Sequence, residues 1–449
     1  MINSFRNFFF LFLFLISTCL LIFTYYKSEI LWEGFNREYY LFYYILFLSI
    51  AICSSISLFL SKKAKEYIII ISFSLIISIY LIELYLTLKK SSKISNELVI
   101  KQNIKKTELL KEKTGKIYDH RNIYQVYLDL KKKNKKITTI VFPYLNPLKN
   151  KFSIFPLGGI SNSKTIFCNE SGFYSIYESD RFGFNNPDYE WDNKTIEFFL
   201  VGDSFTHGAC IDRPYDIASV LRELSNKNAL NLGYSSNGPM MEYAVLREYL
   251  KPNVKNVLWI YYENDLTDLQ NEISNHFLKA YIKNLNFSQK LMQKQTEIDE
   301  LIQNTLNNEI KNRNTVKEKQ IKNDFYEFIK ISKLRKLLIP VSQKNNLKKT
   351  LKLAKDLTNM NNSNFYLVYL PEYNHIKKKF TNKNYKTIKK IVAELNIPMI
   401  DIYEEIFQKQ KDPLIFFPLG LEGHYNELGY KKIAETIYNS LKEHKKRIN

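Results

Sequence analysis

Three apolar stretches near the N-terminus constrain this chain more than anything else in it. Residues 8–26 and 39–60 carry no charge, and residues 67–88 carry only Glu83. At about 1.5 Å of rise per residue, a helix of about 20 residues spans a bilayer core. Residues 1–92 are therefore expected to form three transmembrane helices. The first stretch is followed by Tyr25, Tyr26 and Lys27 rather than a small-x-small cleavage site, so it reads as a retained helix and not as a signal peptide. Lys62, Lys63 and Lys65 in the loop 61–66 favour the cytoplasm, while the loop 27–38 sets Lys27 and Arg37 against Glu29, Glu33 and Glu38. That puts the N-terminus inside and the bulk of the chain on the periplasmic or extracellular side of a cytoplasmic membrane. Lys89, Lys90 and Lys93 pull the other way, but long translocated domains weaken the positive-inside rule. Glu83 reads as a snorkelling interfacial residue.

Beyond the membrane part, residues 93–136 form a basic, helical connector, and residues 137–192 change to short β-type runs such as 138–142 and 152–155. A turn-rich lead-in follows, Ser179-Asp180-Arg181-Phe182-Gly183-Phe184-Asn185-Asn186-Pro187. Strand and helix patterns then alternate. Apolar runs at 196–201, 229–232, 257–262, 365–370 and 397–402 are separated by helical stretches such as 240–250 and 385–395. Continuous apolar strands alternating with helices imply a parallel sheet covered on both faces. Pro398 marks the last strand as an edge. Residues 270–350 are polar, Lys/Asn/Gln-rich and helical in period, and read as a solvated helical insertion within the domain 137–449.

Polar residues recur where these strands end. The first strand runs into Gly202-Asp203-Ser204, the second into Asn231-Leu232-Gly233 and on to Ser236-Asn237-Gly238, the third into Asn264-Asp265. Gly423-His424 precedes the last helix. In a parallel sheet those carboxyl ends share one edge, where active sites are built. Serine, imidazole, carboxylate and amide are the parts of acyl transfer through a serine ester. Ser204 is the candidate nucleophile and His424 the candidate base, with His207 as a rival. Glu422 is the candidate acid. The Ser204 N–H, an N–H from Ser236–Gly238 and the Asn264 amide are candidates for the oxyanion hole, and Asp203 and Asp265 for supporting roles. Cys168 and Cys210 are either a disulfide, if the domain faces an oxidising compartment, or two free thiols. No Cys/His spacing suggests a metal. The formal charge of +20 comes from lysines spread along the chain with no nucleic-acid motif, so it reads as a solvated surface near anionic lipid.

The blocks Gly202-Asp203-Ser204, Asn231-Leu232-Gly233, Asn264-Asp265 and Gly423-His424, with Asn426 and Gly429, resemble those of the SGNH/GDSL hydrolase superfamily. The lead-in Asp180…Gly183-Phe184-Asn185-Asn186-Pro187 is similar to that of its membrane-linked bacterial members. The resemblance implies a flavodoxin-like three-layer α/β/α fold. It also implies an esterase, lipase, or carbohydrate O-acyltransferase or deacetylase. Two departures stand out. Ser236 occupies a position where glycine is usual, and Leu421 occupies one where aspartate is common. Glu422-x-His424 is closer to the Asp-x-His spacing of alginate O-acetyltransferase-like proteins. The expectation is a membrane-anchored serine esterase or O-acyltransferase acting on a cell-envelope or exported glycan. It needs no cofactor, its partners are the bilayer, the glycan and, for a transferase, an acyl-donor membrane protein. The rival from another class is a non-catalytic protein of the same fold that binds glycan or assists polysaccharide assembly.

Overall fold

The computed structural model describes residues 2–91, 94–142, 154–312, 325–339, 343–378 and 382–448. The expected boundary at 92–93 and part of the β-type run 152–155 lie outside them, and Ile154 and Phe155 are not in a strand. The chain falls into two compact units. One comprises residues 1–99 with 312–342, the other residues 100–311 with 343–449.

In the first unit, α1 (Ile2–Tyr25) continued by a π-helical segment (Tyr26–Leu31), α2 (Arg37–Ser57) and α3 (Lys62–Ser91) provide three spans long and apolar enough to cross a membrane: Phe5–Leu31, Arg37–Ser57 and Lys62–Lys89. Their apolar side chains mostly point outward, as lipid-facing helices require. Glu83 is different. It is fully buried and is bonded to the backbone of residues 333 and 334, so it is not the snorkelling residue read from sequence.

The second unit holds two sheets. A small one contains β1 (Ile137–Thr139), β2 (Lys164–Ile166) and β3 (Ile176–Glu178), with β1 parallel and β3 antiparallel to β2. The large one contains β4 (Ile196–Gly202), β5 (Ala229–Asn231), β6 (Val254–Tyr262), β7 (Asn364–Leu370) and β8 (Met399–Asp401). All its pairings are parallel and its order is β5-β4-β6-β7-β8. In order of appearance that is 2-1-3-4-5, the flavodoxin-like doubly wound order. β8 is an edge, where the strand next to Pro398 was expected.

Side-chain alternation explains why these strands are apolar on both faces. Phe198, Leu200, Leu258, Ile260, Tyr366 and Val368 form one core with the helices Ile217–Ser225 and Glu427–Ile448. Phe199, Val201, Val257, Trp259 and Leu367 are equally buried. On their side, the helix Pro239–Tyr249 packs on β4 and Lys344–Met360 on β7.

The inserted helices up to Lys311 are packed, not solvated. Leu278, Tyr281, Ile282, Leu291, Ile298, Ile302 and Leu306 are buried. Gln289 bonds both the N–H and the C=O of Phe155, and Asp299 accepts from the Ser161 N–H and hydroxyl. The polar composition misled because most of its sparse apolar residues fall on the buried side, Leu285 and Met292 being exposed.

Candidate active site

β4 ends at Gly202, and Ser204 opens the one-turn helix Ser204–His207. The turn is tight enough that a Cβ on Gly202 would lie 2.0 Å from the Thr206 hydroxyl and 2.7 Å from the Ile260 carbonyl oxygen. Only glycine lets the chain reverse there. Asp203 caps the turn by accepting the Phe205 N–H at 2.9 Å. Burial pushes its carboxyl up to about 6, against hydrogen bonding and the nearby His424.

Ser204 Oγ lies 2.8 Å from His424 Nε2, and His424 Nδ1 lies 2.9 Å from an oxygen of Glu170. The other Glu170 oxygen accepts the His424 backbone N–H at 2.6 Å. Glu170 sits on the loop between β2 and β3, in the small sheet. A Cβ on Gly423 would come within 2.4 Å of its carboxylate, so glycine before the histidine is what admits the acid. Burial opposes charge on both members of the pair. Even so, their mutual attraction holds His424 above the usual imidazole range and Glu170 below the usual carboxylate range. Phe205 packs against the imidazole, with ring centroids 4.6 Å apart. Serine, imidazole and carboxylate thus form a connected relay at the carboxyl edge of the sheet.

A disulfide joins Cys168 to Cys210. It ties the loop bearing Glu170, two residues on from Cys168, to the segment just past Ser204. Cys210 Sγ, a Glu170 oxygen and a His424 ring nitrogen lie within 4.8 Å of one another. The thiol being oxidised, that trio is packing and not a metal-ligand set.

No family model matches this chain. No curated protein matches it either. Among solved structures it is similar to a protein described as lipolytic and of the G-D-S-L family, from Desulfitobacterium hafniense DCB-2. The two are 14% identical over 55% of this chain and 99% of that one, with a TM-score of 0.30. It is also similar to the acetyl xylan esterase AlAXEase, at 12% identity, the same coverages and a TM-score of 0.30. Similarity that faint decides nothing. The strand order and the geometry of Ser204, His424 and Glu170 carry the reading instead.

Of the residues singled out from sequence, Ser204 and His424 are brought together and Glu422 is not. Glu422 is exposed, and its carboxylate accepts from Asn374 at 3.3 Å. The carboxylate on His424 is Glu170, which the sequence reading missed. The only signal that leads to it is the Cys168–Cys210 pairing, which places position 170 beside the nucleophile. His207 is buried between Phe167, Tyr177 and Tyr234, with both ring nitrogens lacking a partner among the described residues. Burial, helped by the charge of His424, drives its pKa down to about 3. It is a neutral packing ring and not the base.

The oxyanion candidates divide as well. Ser236 adopts φ 66°, the left-handed backbone that glycine favours, so the unusual serine keeps a glycine-like turn. The Gly238 N–H is already spent on Glu272 at 2.7 Å and drops out. Asn264 is exposed and gives one amide hydrogen to Asp268 at 2.9 Å, leaving the second for a ligand. Asp265 is buried and accepts the Tyr262 N–H at 3.2 Å. Burial first, then the neighbouring Glu242, Asp203 and Asp268, holds its carboxyl well above the usual range, and it braces the turn.

The lead-in is scaffolding. Asp180 accepts from the N–H groups of Phe182 and Phe184, from Asn186 and from the Trp191 indole. Asn186 then exchanges hydrogen bonds with the Asn231 backbone. Asn231 in turn donates to the Thr206 carbonyl and accepts the Gly233 N–H. Asn426 likewise accepts the Gly429 N–H and closes the turn after His424.

Proposed function

We propose that this protein is a membrane-anchored serine esterase or O-acyltransferase of the SGNH/GDSL type. The observation that carries the reading is the Ser204–His424–Glu170 relay. Ser204 Oγ attacks an ester carbonyl while His424 Nε2 takes its proton. Glu170 holds the Nδ1–H and balances the imidazolium. The carbonyl oxygen becomes an oxyanion, to which the N–H groups of Ser204 and Ser236 and the Asn264 amide are the candidate donors. As the intermediate collapses, His424 returns the proton to the departing alkoxide and the acyl group remains on Ser204. A water or a sugar hydroxyl then attacks the acyl-serine, giving up its proton to His424; the acyl–Oγ bond breaks, His424 returns that proton to Ser204 Oγ, and the free acid or the new ester leaves.

Three apolar helices support a membrane location. The Cys168–Cys210 disulfide supports an oxidising compartment, and therefore a catalytic unit on the periplasmic or extracellular side. A cell-envelope or exported glycan ester is the substrate class that such a place offers. A transferase would take its acyl group from a membrane partner.

A fluorophosphonate probe tests this. Purified protein is expected to label at Ser204, and Ser204→Ala is expected to abolish labelling while leaving the fold intact by circular dichroism. Absence of labelling on folded wild-type protein would overturn the esterase reading.

A further inference from the structure

The third membrane span contains an acid that the active site does not use. Glu83 lies six residues before Lys89, about 9 Å inside that end of the helix at 1.5 Å per residue. A carboxylate at that depth needs partners, because an unpaired charge in hydrocarbon costs several kcal/mol. Its partners are unusual. The backbone N–H groups of Lys333 and Leu334 donate to its two oxygens at 3.0 and 2.8 Å. One turn earlier on α3, the Tyr80 hydroxyl donates to the Ile329 carbonyl at 3.2 Å, and the Tyr80 ring lies 5.8 Å from that of Phe328. The segment 325–338 comes from the insertion between β6 and β7, yet it is held by residues within a membrane-spanning helix.

The outward side of that segment is what lipid would select. Phe325, Tyr326, Ile329, Leu337 and Leu338 are 63%, 59%, 48%, 70% and 67% exposed. Such a run would be an aggregation liability in water. Lys330 and Lys336, also exposed, interleave with them. Their long stems allow an apolar base in the acyl region with ammonium groups among anionic headgroups. Glu83 also belongs to the end of α3 from which the chain continues into the catalytic unit, so a return of the insertion to that end needs no crossing of the bilayer.

We propose that residues 325–338 form a membrane-seated element of the insertion, anchored on Glu83 and contacting lipid acyl chains. The proposal rests on α3 spanning the bilayer. The full chain with Cys19→Ser and Cys53→Ser, its disulfide intact, is reconstituted in phosphatidylcholine–phosphatidylglycerol vesicles bearing doxyl-labelled acyl chains. An environment-sensitive fluorophore is placed at Leu338→Cys, at Ile76→Cys within α3, or at Ile117→Cys on the catalytic unit. Strong quenching at positions 338 and 76 but not 117 is expected. Quenching at 76 with none at 338 overturns the proposal and leaves the spanning helix standing, with a protein partner then required for the apolar surface. No quenching at 76 overturns the spanning reading itself. Adding Glu83→Ala to the Leu338→Cys protein is expected to remove the quenching at 338 while a matched Ile76→Cys protein keeps its own. Unchanged quenching at 338 would show that Glu83 is not the anchor.

Discussion

The large and small sheets of the second unit contribute to one candidate site by different routes. The five-stranded sheet supplies Ser204 directly at the end of β4, with His424 on the turn before the last helix. The three-stranded sheet supplies Glu170 from a loop between two three-residue strands. The first contribution is local in sequence, a strand end or a turn with recognisable neighbours. The second exists only after two distant parts of the chain have docked, with Glu170 separated from His424 by 254 positions. Candidate residues at strand ends can be read from short blocks, and a partner delivered across a domain cannot.

The sharpest test of that division compares two carboxylates. Glu170→Gln is expected to lower kcat by about 10⁴-fold, because an amide neither fixes the imidazole tautomer nor balances its charge. Glu422→Gln should leave ester turnover near wild type, since its carboxylate faces Asn374 and solvent. The reverse ranking, measured on a small activated ester, would return the acid to the large sheet.

A smaller effect is expected from the covalent tie between the two regions. With Cys168→Ser and Cys210→Ser together, the acid loop is held by packing alone. A displacement of about 1 Å can cost up to about 10²-fold in rate, and loss of the crosslink about 2–4 kcal/mol of stability. The loss is expected in kcat with KM little changed, and thermal unfolding measures the stability term independently. An unchanged kcat in the double variant would mean that the small sheet positions Glu170 without the disulfide.

The smallest effect is a shift in pH dependence. In the proposed mechanism His424 would act as base only when neutral, and Glu170 and Asp203, outweighing burial, raise its pKa above the ordinary imidazole value. The acid limb of kcat/KM therefore lies above that value, with activity gained as pH rises through it. In Glu170→Gln the largest raising influence is gone, so the limb of the residual activity should move to lower pH. A limb that stays in place would separate Glu170 from the titrating imidazole.

The legibility of this chain follows the same division. The three apolar spans, the parallel sheet and its Pro398 edge strand follow from periodicity, because burial on both faces leaves a plain apolar signature. Ser204 and His424 follow from their blocks. Glu170 leaves no such trace, since a lone glutamate in a loop is ordinary in composition. Gly423 marks the histidine block in sequence, and in the structure it also leaves room for the Glu170 carboxylate. Glu83 read as interfacial because its partners, two backbone N–H groups, have no sequence signature at all. The burial of Leu278, Leu291 and Leu306 was hidden by the lysines and asparagines around them.

On the proposed mechanism, the contact between Gly423 and Glu170 would also make turnover a reporter of assembly. A chain trimmed to residues 179–449 would keep Ser204, Asn264 and His424, every block that marks the site in sequence, and would lack Glu170, the carboxylate on His424. On the proposed mechanism, a molecule whose 170 loop is not docked beside the glycine would lack competence.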